Sequence, residues 1–289
     1  MNLKFIQMLG AAIFLFTGSL AHATITCTNL VSGGFSTSYA PTQTVSYITQ
    51  GTISFRCTRS AAGDLTTVYV GTDVGANPSG NIARAKLGAN FIQYDLYNDS
   101  GCSILLSSTS TSANIPVTLL ANLFSQSFTV SFWGCITLAG QSVPSGTYVD
   151  TISYDIQNFA ATVGYSAIAT LPVSIVNPAT CNITSVANVA FGTYIAFRAT
   201  PLLSPAANVV MNCTTNLPYS LALDATSGLI AGVGLNYSLA TSWISGSQLR
   251  GTGPGQTFTM TGTLPANQAG KCSAGSCSGS DTRTLTVTY

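Results

Sequence analysis

Two stretches of residue alternation, one in each half of the chain, constrain its fold more than any other feature. Residues 145–156 read SGTYVDTISYDI, and residues 278–289 read SGSDTRTLTVTY. In both stretches apolar side chains recur at every second position, which is typical of a half-buried β-strand. The chain therefore contains the same kind of strand twice.

Further landmarks occur in the same order in both halves. They are the cysteine pairs Cys27/Cys57 and Cys181/Cys213, the segments FIQYDLY (91–97) and GLNYSLA (234–240), and the segments QSFTVS (126–131) and QTFTMT (256–261). A shared order of landmarks indicates a duplicated domain. We expect two homologous domains in tandem, at residues 24–156 and 178–289, with a linker at 157–177.

The first residues have the features of an export signal. Lys4 precedes an apolar run at residues 9–20, and Ala21-His22-Ala23 fits a cleavage site of small residues. The run is shorter than the roughly 20 residues of a membrane-spanning helix. We expect residues 1–23 to be a signal peptide; an uncleaved membrane anchor is the alternative.

Charge is sparse in the rest of the chain. The sequence has 9 basic and 8 acidic residues, and Lys4 lies in the predicted signal peptide, so the exported chain is neutral. Such a chain has no field that attracts nucleic acid or an anionic membrane, and we predict no nucleic-acid partner. A neutral surface also resists association poorly, which suits a protein that is assembled.

Eight cysteines lie beyond the signal peptide, four in each predicted domain. An even number in an exported chain indicates disulfide bonds. The repeat suggests Cys27–Cys57 and Cys181–Cys213, which leaves Cys102–Cys135 and Cys272–Cys277, although the sequence permits other pairings. A metal or redox site is the rival interpretation, but the only histidine is in the signal peptide and no CxxC spacing occurs. We expect no metal and no cofactor.

The composition favours strands throughout. β-Branched and aromatic residues alternate between Gly, Pro, Asn and Ser, which predicts an all-β fold with domains of β-sandwich length. Only residues 81–91 have a helical pattern. They carry Arg84 and Lys86, which could hold an anionic ligand or lie in a solvated loop.

The sequence beyond the predicted signal peptide lacks the residue combinations of common catalytic sites. Without a histidine in the exported chain, Ser-His-Asp and Cys-His arrangements cannot form. Glycosidases need two opposed carboxylates; Asp95 and Asp99 are four residues apart, and the other aspartates are isolated in sequence. We expect that the protein is not an enzyme, and a secreted carbohydrate-active enzyme is the least favoured alternative.

The sequence resembles the spore coat protein U domain family. The motifs that carry the resemblance are Cys181, FGTY (191–194), Cys213, PYSLALD (218–224), GLNYSLA, QTFTMTGTLPANQAG (256–270) and DTRTLTVTY (281–289). They cover the second half from end to end. The first half matches more loosely, through IQYDLYND (92–99) and VPSGTYVDTISYDI (143–156), and its FGTY element is degraded to GGFSTSY (33–39). A strong C-terminal and a diverged N-terminal match resemble the two-domain tip adhesin of archaic (Csu-type) chaperone-usher pili.

This resemblance implies two immunoglobulin-like β-sandwiches, of which the C-terminal one lacks its last strand and accepts it from the next pilin subunit. It implies a periplasmic pilus chaperone, an outer-membrane usher, the next pilin and an abiotic or host surface as partners. It also implies location at the pilus tip on the cell surface, with a role in attachment and biofilm formation. A shaft pilin or coat protein of the same family is the alternative.

Two features of the sequence bear on this choice. Apolar residues occupy alternate positions from Tyr165 to Ile175, so we expect residues 164–176 to complete the first domain in cis, although Pro172 forfeits one ladder hydrogen bond. A packed apolar linker is the alternative.

Thr24 stands three residues before Cys27, whereas a shaft pilin needs roughly ten or more residues there as a donor strand. We therefore expect the tip position.

An adhesive surface is expected at the far pole of the first domain. The strand at 147–156 runs into the linker, so its beginning, and the loop before it, should lie away from the shaft. A Cys102–Cys135 bond would bring a second apolar loop to the same place. The residues predicted to form this surface are Ile104, Leu105, Leu106, Ile136, Leu138 and Val143. The alternative is that they are core residues at strand ends.

Overall fold

The computed structural model of the protein describes residues 25–40, 46–62, 66–106, 114–136, 141–157, 165–273 and 275–289. All regular elements in these ranges are β-strands, so the predicted all-β fold is confirmed. The described ranges contain no helix that is long and apolar enough to cross a membrane.

Ten strands make up the N-terminal half. They are β1 (Ile25–Ser32), β2 (Phe35–Ser38), β3 (Tyr47–Arg59), β4 (Thr67–Thr72), β5 (Ala83–Leu87), β6 (Asn90–Tyr97), β7 (Ile115–Thr118), β8 (Ser125–Ile136), β9 (Gly146–Gln157) and β10 (Tyr165–Asn177). Their order is β1-β3-β8-β6-β5-β9-β10-β2, and β4 pairs with both β9 and β7. Because β6 pairs with both β8 and β5, one sheet folds over into two layers around a common core.

Alternation along β9 contributes to that core. Tyr148, Ile152 and Tyr154 point inward and are at most 1% exposed, whereas Val149 and Thr151 between them face solvent. Aromatic and β-branched side chains suit a pleated surface with one buried face. The strand that the sequence predicts at residues 145–156 is therefore present.

Residues 81–91 form part of a β-hairpin, and the helical interpretation is wrong. β5 pairs with β6 across a turn in which Gly88 has a φ of 58°, a conformation that favours glycine. Arg84 donates to the carbonyl oxygens of Asn77 and Pro78 and lies 4.2 Å from the centroid of the Phe91 ring. Its guanidinium therefore forms its contacts with groups of the protein itself.

Nine strands make up the C-terminal half. They are β11 (Cys181–Val186), β12 (Leu202–Leu203), β13 (Ala207–Cys213), β14 (Pro218–Leu223), β15 (Ser227–Ile230), β16 (Leu235–Thr241), β17 (Gln248–Arg250), β18 (Gly253–Leu264) and β19 (Leu285–Thr288). One sheet has the order β11-β13-β18-β16-β15, with β12 on β18, and a second sheet has the order β17-β14-β19.

Four disulfide bonds are present, and they join the pairs that the repeat suggests. They are Cys27–Cys57, Cys102–Cys135, Cys181–Cys213 and Cys272–Cys277. Cys27 faces Cys57 across β1 and β3, and Cys181 faces Cys213 across β11 and β13. The first strand of each half is therefore tied to a longer neighbour in the same way.

We expect that replacing both Cys27 and Cys57 with alanine lowers the free energy of unfolding of the N-terminal half by about 3–4 kcal/mol. The bond closes a loop of 30 residues, and its loss increases the entropy of the unfolded chain. Urea denaturation of the purified variant measures the change. The matched variant without Cys272–Cys277, which spans 5 residues, should lose less stability; an equal loss in both variants would contradict the argument.

Candidate functional site

Strand β10 seals the core of the N-terminal half. It pairs antiparallel with β9 from Tyr165 to Asn177 and parallel with β2 over residues 173–176. Leu171, Val173 and Ile175 point into the core and are 0%, 2% and 0% exposed. The linker therefore folds back as the alternation predicts and supplies the N-terminal half with a strand in cis; residue 164 lies outside the described residues.

The C-terminal half has no equivalent strand among its described residues. β11 pairs only with β13, and β19 pairs only with β14, so one edge of each strand has no backbone partner. Leu285 and Val287 on β19 pack toward the core but are only partly buried. We call the space between the unpaired edges of β11 and β19 the strand-accepting groove.

The FGTY element is paired and buried differently in the two halves. Its N-terminal counterpart forms β2 against β10 and buries Phe35 and Tyr39, which are 2% and 1% exposed. In the C-terminal half, Phe191 and Tyr194 belong to no strand and remain partly exposed. The element therefore closes over the core only in the half where a donor strand pairs with it.

The core of the C-terminal half is also less completely buried than the core of the N-terminal half. The N-terminal half has one continuous cluster in which fully buried residues greatly outnumber partly buried ones. In the described residues of the C-terminal half there are two smaller clusters, each with about as many partly buried members as buried ones. Apolar surface that a further strand could cover is thus left near solvent.

A polar cluster fixes the chain just before β19. The Tyr237 hydroxyl donates to Asp281 at 2.6 Å, while Arg283 donates to the Tyr237 oxygen at 2.6 Å and to Asp281 at 2.8 Å. The hydrogen bond from Tyr237 and the nearby Arg283 hold the pKa of Asp281 below its usual value. The segment that leads into β19 is therefore held in place, although one edge of β19 has no backbone partner among the described residues.

The loop before β9 lies against the C-terminal half. Ser142 Oγ is 2.7 Å from Thr215 Oγ1 and 3.3 Å from the carbonyl oxygen of Thr252. Pro144 forms an isolated β-bridge with Thr215. We call this end of the N-terminal half the joint.

The predicted placement of this loop at the far pole is therefore wrong. The reason is the direction of β10, which runs back along β9 and brings Asn177 opposite Gly146. The buried Asn177 side chain donates to the carbonyl oxygens of Val143 and Pro144. The second half begins just after Asn177, so the beginning of β9 is at the joint and its end is at the far pole.

The residues predicted to form an adhesive surface do not share one. Leu106, Ile136 and Val143 are 4%, 1% and 8% exposed and belong to the core, because these strand ends pack between the two layers. Ile104 and Leu105 are 45% and 37% exposed on the segment after β6. Leu138 lies outside the described residues. Polar substitutions of the three buried residues would damage the core rather than test attachment.

A different apolar segment lies at the far pole, between β7 and β8. Its Leu120, Leu123 and Phe124 are 57%, 36% and 54% exposed, and we call these three side chains the distal apolar patch. The segment lies beside the beginning of β4, since Leu119 donates its N–H to the carbonyl oxygen of Thr66. The sequence LLANLF at 119–124 was the signal for it, because a run of large apolar residues between two strands is unusual for a loop.

Arg59 at the end of β3 anchors this segment. Its side chain donates to the carbonyl oxygens of Ala121 and Leu123, and its backbone N–H donates to that of Phe124. The guanidinium also lies 5.4 Å from the centroid of the Phe124 ring. These contacts restrict the conformations that the segment can adopt.

A comparison with solved structures finds matches of low sequence identity. It is 14% identical, with a TM-score of 0.44, to a chain of the CsuC-CsuE chaperone-tip adhesion subunit complex from Acinetobacter baumannii, over 91% of this chain and 100% of that chain. It is 9% identical, with a TM-score of 0.39, to the CupB6 tip adhesin from Pseudomonas aeruginosa, over 92% of this chain and 94% of that chain. No curated protein matches the sequence.

A family model matches most of the sequence. The Spore Coat Protein U domain matches residues 12–155 and 167–240, so it is found in both halves. The matched stretch is longer in the N-terminal half than in the C-terminal half, the reverse of what the motifs suggest. The match extends over well more than half of the chain, and the protein therefore belongs to the Spore Coat Protein U domain family.

Proposed function

We propose that the protein is the tip adhesin subunit of a chaperone-usher pilus. The observation that carries this proposal is the difference between the two halves. The N-terminal half is completed by its own β10, whereas β11 and β19 in the C-terminal half each have one edge without a backbone partner in the described part of the chain. Unpaired edges beside a partly exposed core are a site for strand addition by another chain. One half is then available for attachment and the other for assembly.

In this proposal the adhesin domain spans residues 24–156, the linker at 157–177 supplies its in-cis strand, and the pilin domain spans 178–289. Residues 1–23 direct export to the periplasm. The strand-accepting groove binds a periplasmic chaperone first and then, at the outer-membrane usher, the N-terminal extension of the next pilin. The protein finally stands at the tip of the pilus on the cell surface.

The distal apolar patch is the attachment surface in this proposal. The 12 residues of β9 separate the joint from the far pole by roughly 36 Å at ~3.3 Å per residue. Contact with an apolar surface removes Leu120, Leu123 and Phe124 from water, which contributes about 25 cal/mol per Å². Apolar abiotic materials and apolar regions of host surfaces are therefore the targets, and attachment to them starts a biofilm.

We expect the double substitution Leu123→Ser and Phe124→Ser to weaken binding to hydrophobic beads by about tenfold or more, because each buried apolar side chain contributes about 1.5–3 kcal/mol. Binding of the purified full chain measures this, and electron microscopy of pili shows that assembly is unchanged. Val149→Ser is the matched control, because Val149 is 54% exposed but lies near the joint. Unchanged binding by the double variant would contradict the proposal. An antibody label that located this protein along the whole pilus shaft, and not only at the tip, would contradict it too.

A further inference from the structure

A cavity opens on the flank of the N-terminal half where β9 changes its partner. The first part of β9 pairs with β5 at Val149, and its last part pairs with β4 from Tyr154 to Gln157. Between β4 and β5 the chain at residues 73–82 leaves the sheet. This gap holds a cavity of about 310 Å³, which is within the range of small-molecule sites.

The walls of the cavity have two characters. Its polar lining residues are Thr72, Asp73, Asn81 and Asp95. The rest of the lining is aliphatic. Its large side chains are Val74, Leu96, Leu105, Leu106 and Ile152. Among the residues that the structure describes, no aromatic, basic or histidine side chain lines the cavity.

Each carboxylate has one oxygen that remains available. Asp73 Oδ1 accepts from the N–H groups of Gly75 and Ser153, and Asp95 Oδ1 accepts from the N–H of Ala83 at 3.2 Å. Oδ2 of each aspartate has no hydrogen-bond donor within the described part of the chain. Arg84, which follows Ala83, is committed to two carbonyl oxygens elsewhere. The cavity therefore offers acceptors and negative charge without a cation.

We propose that this cavity binds a primary alkylammonium group, with the ammonium at Asp73 and Asp95 and its carbon chain along Leu105, Leu106 and Ile152. An ammonium carries three donors and one charge, and an alkyl chain fits an aliphatic wall. The site does not depend on the proposed role in adhesion. The group can come from a lysine side chain of another protein or from a free polyamine.

Other ligand classes fit these walls less well. An anion would meet two carboxylates and no base. A divalent metal needs more oxygen ligands than two carboxylates provide, and the described residues contain no group of three or more Asp, Glu, His or Cys that could hold one. A sugar ring would find no aromatic face to stack on. The combination of acceptors, negative charge and aliphatic wall leaves the alkylammonium class.

The direct test is a titration of the full chain with n-butylammonium, followed by NMR of the Leu105, Leu106 and Ile152 methyl groups. We expect saturable shifts at these methyls and none with n-butanol, which has the same chain without the charge. Asp95→Asn should weaken binding by about tenfold, because the charge is lost and the shape is kept. Asp224→Asn is the control, since Asp224 is exposed and remote from the cavity lining. Equal shifts with n-butanol, or unchanged affinity in Asp95→Asn, would overturn the proposal.

The pH dependence gives an independent readout. Burial raises the pKa of Asp95 to about 6, so its carboxylate is ionised at pH 7.5 and mostly protonated at pH 5. Butylammonium binding should therefore weaken by about tenfold between pH 7.5 and pH 5. The neighbouring Tyr94 and Tyr97 stay protonated, because burial raises their pKa. In Asp95→Asn this dependence should disappear; a dependence that persists there would contradict the role of Asp95.

Two further probes distinguish a lysine side chain from a free polyamine as the source of the ammonium group. If a lysine side chain is the natural group, N-acetyl-lysine methylamide should bind at least as tightly as n-butylammonium, because its backbone remains outside the cavity. If a free polyamine is the natural ligand, putrescine should bind more tightly than N-acetyl-lysine methylamide, because its carbon chain carries no backbone amide groups. Failure of all three amines to bind would overturn the site and leave the adhesin proposal untouched.

Discussion

Val173→Asp is expected to unfold the N-terminal half or to expel β10 from it. Val173 is 2% exposed, and it lies opposite the buried Asp150 on β9. An aspartate at this position would bury a second carboxylate beside the first, without a partner, at a cost of several kcal/mol. That cost is comparable with the whole stability of a domain, about 5–15 kcal/mol. Thermal unfolding and hydrogen exchange of the full chain measure the loss.

Val176→Asp is the matched control for this prediction. Val176 is on the same strand, but its side chain is 39% exposed, so a carboxylate there stays hydrated. We expect little change in stability from it. The milder Leu171→Ala should cost about 2–5 kcal/mol, because Leu171 is fully buried and the substitution leaves a cavity. If Val173→Asp melted like the unmodified chain, β10 would not be the strand that closes the N-terminal core.

The strands were predictable wherever alternation was strong. β9 and β10 were both predicted from alternating apolar residues, and both are present, with Ile152 and Tyr154 of β9 and Leu171, Val173 and Ile175 of β10 buried. The duplicated cysteine pairs were predictable because the repeat places each of them on the first two long strands of its half. Residues 81–91 have a helical pattern and were expected to hold an anion or to lie in a solvated loop, but they form a hairpin, because β5 pairs with β6 across the turn at Gly88.

The site was harder to predict because it depends on which end of a strand faces the second half. The return of β10 along β9 also determines the position of the loop before β9, because it brings Asn177 opposite Gly146. That return moves Val143 and Pro144 to the joint, where Asn177 binds their carbonyl oxygens. Burial of Leu106 and Ile136 depends on the contact between layers, which alternation alone does not specify. The flank cavity arises from the change of partner along β9, and no motif in the sequence marks it.

The C-terminal half is expected to gain protection when a strand is supplied to its groove. In the full chain, the amides of β11 and β19 should exchange much faster than those of β9 and β10, because one edge of β11 and one edge of β19 have no partner among the described residues. The isolated fragment 178–289 should aggregate or fail to unfold cooperatively. A periplasmic chaperone or a donor peptide should rescue it by covering the exposed core.

A peptide with the sequence of β10, residues 165–177, is a suitable donor because its alternating side chains fill the corresponding space in the N-terminal half. Burial of three aliphatic side chains contributes about 1.5–3 kcal/mol each, part of which is offset by ordering the peptide. We therefore expect protection of the β11 and β19 amides to rise by roughly a hundredfold, or about 3 kcal/mol. The control peptide has the same composition with apolar and polar positions exchanged, which turns its apolar side chains to the solvent. Equal protection by both peptides, or a monomeric and cooperatively folded 178–289 fragment without any donor, would show that the groove is not a strand-accepting site.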